Sequence, residues 1–126
     1  MDGNRKVVIA GVELDFDIFD ADSAERFENA VEQVSKEGQN VERQSAEGEI
    51  KVSESIRRQC KAVFGFFNSI FGEGTDKKIF GERVNLMQCI SAFEETLAQI
   101  DAQKAVLNDK LKSATTPNRA QRRAKK

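Results

Sequence analysis

The sequence has no histidine, no tryptophan and no tyrosine, and only one proline and two cysteines in 126 residues. Each shortage excludes something. Without histidine the chain lacks the usual general base, pH switch and imidazole metal ligand. Two cysteines, Cys60 and Cys89, cannot complete a zinc site without histidine, and both read as reduced core thiols beside apolar helix faces. Stacking on nucleic-acid bases would fall to the nine phenylalanines, which the apolar pattern assigns to a core. No apolar run approaches the ~20 residues that span a bilayer. The four-residue apolar run after Met1–Lys6 is too short for a signal peptide, so the chain is expected in the cytoplasm of the cell that makes it.

What is present is amphipathic. With 39% hydrophobic and 33% charged residues, the chain reads as one small, helix-leaning domain with long charged faces. Its net charge of −1 conceals an asymmetry. From Lys110 onward there are basic residues only: Lys110, Lys112, Arg119, Arg122, Arg123, Lys125 and Lys126. The remaining 13 basic residues face all 21 acidic ones, leaving residues 1–109 at −8.

The densest apolar stretch is Cys60–Gly81, CKAVFGFFNSIFGEGTDKKIFG. On a helical wheel Ile56, Cys60, Val63, Phe64, Phe67, Ile70 and Phe71 share one face, with Phe66 at its edge. Ile-Phe-Gly-Glu occurs twice, at Ile70–Glu73 and Ile79–Glu82. An apolar pair followed by glycine is a helix stop, so two stops are predicted around a one-turn helix capped by Thr75.

Upstream, Val12, Leu14, Phe16 and Ile18 alternate with Glu13, Asp15 and Asp17, the period of a strand with one buried face. Ala10-Gly11 joins it to Lys6–Ile9 as a β-hairpin over 6–18, whose free edges invite pairing and self-assembly. A first helix starts at Asp20 or Asp22 and carries Ala24, Phe27, Ala30, Val31 and Val34. Polar residues 38–49 read as a link, and the aromatic helix follows with Ser53 or Ser55 as its cap. In the last helix Leu86, Ile90, Phe93, Leu97, Ile100, Lys104, Leu107 and Leu111 are spaced 4, 3, 4, 3, 4, 3, 4, an unbroken heptad seam. Its first half is expected inside the domain and its second half, past Lys104, beyond it.

The expected fold class is therefore α+β: an N-terminal hairpin packed on three main helices (about 21–37, 53–71 and 84–112) and a one-turn helix. Residues 6–112 form the domain. Residues 1–5 and the basic tail, 113–126, are expected to be disordered, with Pro117 ending any helix. The expected core is Phe16, Phe27, Phe64, Phe67 and Phe71, with Phe80, Leu86, Ile90, Phe93 and Leu97.

No constellation carries chemistry. Asp15, Asp17, Asp20 and Asp22 lack the glycine and late glutamate of a calcium loop. Phe71-Gly72-Glu73-Gly74-Thr75 follows a helix and lacks the Gly-Lys-Ser/Thr order of a phosphate loop. Ser53, Ser55 and Ser69 have no base. No catalytic residue, cofactor or metal is expected. Partner contacts fall instead to Lys104, Leu107 and Leu111 and to the turn bearing Glu73, Lys77 and Lys78. Arg119, Arg122, Arg123, Lys125 and Lys126 would attract phosphate, though the acidic body repels it and makes nucleic acid a poor partner.

Several strings resemble small tail-assembly-chaperone-like proteins, of unassigned domain type, from long-tailed phages and prophages of Gram-positive bacteria. They are Ile9-x-Gly-Val-Glu-Leu-x-Phe16, Phe19–Phe27, Ile56–Phe67, Phe71–Gly81, Asn85-Leu-x-x-Cys89 and Ala92-Phe93, covering about residues 7 to 100. The ending Asn118–Lys126 is similar to endings found among such chaperones. The resemblance implies a non-enzymatic assembly factor in the cytoplasm of a bacterial host. It would oligomerise and bind the helical tape measure protein, with the tail tube protein as a second partner. The alternatives are a phage-encoded regulator or anti-defence protein that binds nucleic acid or a host protein, and a minor virion structural protein.

Overall fold

The computed structural model describes residues 6–115. Strands β1 (Lys6–Ile9) and β2 (Val12–Asp15) form an antiparallel hairpin, followed by helices α1 (Ala21–Ala46), α2 (Val52–Phe71), α3 (Thr75–Phe80) and α4 (Leu86–Thr115). The α+β expectation holds. The expected disorder of residues 1–5, the stop at Pro117 and the five basic positions from Arg119 to Lys126 lie outside the described residues.

The hairpin register pairs Ile9 with Val12 and Val7 with Leu14, so all four side chains share one face. That face is the inner one: Val7 and Ile9 are fully buried, and Leu14, Phe16 and Ile18 are buried after them. Both turn residues take positive φ, Ala10 at 51° and Gly11 at 82°, which a two-residue hairpin turn requires. Glycine does so freely; alanine is strained there.

Helix α1 is capped by Asp20, whose Oδ2 accepts from the Ser23 N–H at 3.0 Å. It continues through the segment expected to be a link. The cause is tertiary. Val41 is fully buried, and Arg58 of α2 grips α1 on either side of it. The Arg58 guanidinium donates to both carboxylate oxygens of Glu37, at 3.0 and 3.3 Å, and to the Gln44 side-chain oxygen. That hydrogen bond to Glu37 raises the Arg58 pKa further above its ordinary value. Polar composition therefore concealed two anchors one heptad apart.

The reversal that follows is tight, so α2 begins at Val52 with Lys51 at its N-cap and no side-chain cap. Ser53 and Ser55 consequently lie inside the helix, and the Ser55 hydroxyl accepts from the Gln59 amide at 3.1 Å. Both predicted stops occur, with Gly72 ending α2 and Gly81 ending α3 at positive φ. Gly74, rather than Thr75, is the N-cap of α3; buried Thr75 turns its hydroxyl onto the Gly72 carbonyl at 2.7 Å. Asn85 caps α4, its Oδ1 accepting from the Gln88 N–H at 3.0 Å.

Helix α2 is the centre of the molecule, packing against α1, α3 and α4, while β1 lies on α4. Phe66, placed at the edge of its face by the wheel, is only 2% exposed and is the hub of the core. Its ring meets Phe93 at 4.8 Å, Phe67 at 5.2 Å and Phe27 at 6.2 Å between centroids. Phe16, Phe64, Phe71 and Phe80 join the same network. Phe64 and Phe71, expected in the core, are half-buried at its margin.

Candidate functional site

On α4 the buried residues are Cys89, Ala92, Thr96, Ile100 and Gln103. Except at Ile100, this face lies one residue before the heptad seam, so the seam is turned toward α1 rather than into the core. The side-chain sizes explain it. Cys89, Ala92 and Thr96 are small and let α4 approach α2 closely; the Cys60 and Cys89 thiols meet there. Leu86, Phe93 and Leu97 are left half-buried on the flank, and Ile90, expected in the core, is 38% exposed.

The result is an apolar strip between α1 and α4 marked by two depressions, the first of them floored by α2. At one end it is lined by Val34, Gly38, Leu86, Ile90 and Phe93 over Gln59, Ala62 and Val63. At the other it is lined by Phe27, Val31 and Leu97, with Glu28, Asp101 and Lys104 on the rim. Its walls are the apolar residues of two antiparallel helices, and its rim is charged.

Lys104 closes one end of this groove. Its ammonium sits 5.2 Å above the Phe27 ring, a cation–π contact, and 3.7 Å from Asp101. Beyond it Leu107 is half-buried and Leu111 is 51% exposed. Glu73, Lys77 and Lys78 are exposed on a different part of the molecule, the turn and short helix after α2, where Lys77 pairs with Glu82 at 3.0 Å. The two sets of expected partner-binding residues share no element.

The hairpin edges, expected to be free, are not equivalent. The outer edge of β1 is closed by a ladder of α4 side chains. Gln99 accepts from the Val8 N–H at 2.8 Å and donates to the Val8 carbonyl at 2.7 Å. Glu95 accepts from the Ala10 N–H at 3.0 Å, while Gln103, one step further along α4, accepts at 3.3 Å from the N–H of Ile18 in the segment after β2, not on β1. Four residues of helix rise about 6 Å, close to the rise of two strand residues, so spacing by four on α4 matches alternate groups on β1. Glu95, Gln99 and Gln103 were visible in the sequence as an i, i+4, i+8 polar stripe, but nothing there paired them with a strand. On the β2 side Glu13 and Asp15 are exposed, and Lys6 reaches both, at 3.8 and 3.1 Å. Two β2 edges set together would oppose carboxylates, which disfavours self-pairing.

Among the described residues, no cluster of three or more cysteine or acidic side chains could hold a metal ion. No helix among them is long and apolar enough to cross a membrane. A family model described as a family of unknown function, DUF6673, matches residues 10–126. The chain belongs to this family. No curated protein and no solved structure matches the chain. Within this DUF6673 protein the match takes in β2, all four helices and the groove they form, but not β1.

Proposed function

We propose that the protein is a non-enzymatic binding factor that holds an amphipathic helix of a partner along the α1–α4 groove. One observation carries the reading: Val31, Val34, Leu86, Phe93 and Leu97 are half-buried and Ile90 is exposed along a groove that α1 and α4 leave open between them. Helix-in-groove recognition uses such apolar walls with a charged rim, taking side chains at i, i+3/i+4 and i+7 of the guest helix. The described body, with 14 basic and 20 acidic residues, favours a protein partner over nucleic acid.

The role that fits this groove and the resemblance noted above is that of a tail assembly chaperone. It would cover apolar stripes of the long helical tape measure protein in the cytoplasm of a bacterial host before the tail tube protein assembles around it. Co-expression with the tape measure protein of the same phage tests this. The client stays soluble and co-purifies with the wild-type chain. Ile90→Glu, at an exposed groove position, loses the client while its own melting temperature is unchanged. A client that precipitates equally with and without the chain refutes the reading.

A further inference from the structure

The rim of the α1–α4 groove carries a charge of one sign. Glu28 and Asp101 line the depression at the Lys104 end. Glu42 stands four residues after Gly38, and Glu94 four after Ile90, so each continues a helix face that walls the other depression. All four are exposed, two on the α1 wall and two on the α4 wall. Glu28, Glu42 and Glu94 are paired with no cation among the described residues. Lys104 is the cation of the lining, and it is already engaged by Asp101 and the Phe27 ring. Further round α1, Lys36 and Arg43 each sit four residues from a carboxylate of their own, Glu32 at 3.7 Å and Glu47 at 3.4 Å, and leave the sum unchanged. From Leu86 to Lys104 the rim therefore sets four carboxylates against one ammonium.

This is a property of the groove and not of the surface at large. The furrow between α1 and α2 is lined by Arg58 and Lys61 against Glu37, with Ala30, Ala62 and Gly65 leaving it open. Cations outnumber acids in that furrow, and acids outnumber cations in the groove.

Walls and rim together define a guest. Leu86 to Lys104 spans about 27 Å, the length of a helix of about 18 residues. A helix lying there sets one apolar stripe against Val34, Ile90, Phe93 and Leu97 and turns both of its flanks toward carboxylates. We propose that the groove selects an amphipathic helix whose apolar stripe is bordered on both sides by lysine or arginine. A helix with the same stripe and acidic borders is turned away by like charge. The inference rests on the reading of the groove as a helix-binding site and adds the charge of the guest to it.

Two fluorescently labelled peptides of about 18 residues, with one leucine stripe in common and either lysine or glutamate along its borders, test the selection by anisotropy on the full chain. At low salt the lysine-bordered peptide should bind about tenfold tighter or more, and the advantage should shrink as salt screens the exposed carboxylates. Combining Glu28→Gln, Glu42→Gln, Glu94→Gln and Asp101→Asn should abolish the advantage with the melting temperature unchanged. Ile90→Ser should weaken both peptides. Equal binding of the two peptides, or a preference that survives in the carboxamide variant, overturns the proposal; if Ile90→Ser still weakens both, the helix-binding reading stands without it. A lysine-bordered peptide indifferent to Ile90→Ser is bound elsewhere, which also overturns the proposal. Binding of neither peptide overturns both.

Discussion

Gln99 is the residue whose removal most directly tests how the hairpin is held. Its side-chain amide makes two hydrogen bonds with Val8, accepting at 2.8 Å and donating at 2.7 Å. Val8 is 44% exposed, so water can replace part of what is lost, and each bond contributes toward the lower part of the usual ~0.5–1.5 kcal/mol. Gln99→Ala should therefore destabilise the domain by about 1–2 kcal/mol. At about 4 °C per kcal/mol for a domain of this size, the melting temperature should fall by roughly 4–8 °C. Gln99→Glu keeps the acceptor for the Val8 N–H but sets a carboxylate oxygen against the Val8 carbonyl, and should cost at least as much as alanine. Glu95→Gln keeps an acceptor for the Ala10 N–H and should be nearly neutral. Unlatching β1 also exposes a strand edge, so Gln99→Ala should aggregate faster at equal fraction folded. Urea denaturation of the three variants decides the matter. If Gln99→Ala costs under ~0.3 kcal/mol, or Gln99→Glu is neutral, the latch is not what holds β1 on α4.

Phe66→Ala should cost ~3–5 kcal/mol in the same assay, because it empties the site where Phe27, Phe67 and Phe93 converge; a loss near 1 kcal/mol would refute its place as the hub. Gly38→Ala should raise stability by roughly 0.5–1 kcal/mol, since nothing lies within 4 Å of the added carbon and alanine is the better helix former. Ala10→Asn should also stabilise, by about 0.5–1 kcal/mol, by placing a residue that tolerates φ of 51° in the turn. Burial, with the Cys60 thiol alongside, pushes the Cys89 thiol up from 9.0 to about 12. The unfolded thiol thus ionises first: folding is unaffected below pH 9 and weakens at higher pH, by up to ~1.4 kcal/mol per unit toward pH 12. Cys89→Ser should flatten that decline, and both wild-type thiols should react with a disulfide reagent only on unfolding.

Patterns that local chemistry enforces were legible along the chain. Alternation from Val12 to Ile18 marks a strand because successive side chains point to opposite faces. Ile-Phe-Gly marks a helix end because glycine accepts the backbone conformation that closes it. Asp20 caps α1 by satisfying an N–H three residues away. These interactions span a few residues and need no partner element. The continuation of α1 through Gly38–Ala46 was not legible, because Val41 and the Arg58 grip come from α2. Nor was the rotation of α4. Heptad spacing identified an apolar seam, yet the small side chains of Cys89, Ala92 and Thr96 set which face could approach α2 most closely. That one-residue offset left Ile90 exposed and Phe93 and Leu97 half-buried at the margin of the core, along the groove. The edge of β1 depended on Gln99, 91 residues away. The sequence by itself determined the elements, the glycine stops of α2 and α3 and the aromatic content of the core; tertiary packing decided how far α1 runs and which edges and faces were left exposed, because burial and edge closure belong to pairs of elements and not to either one.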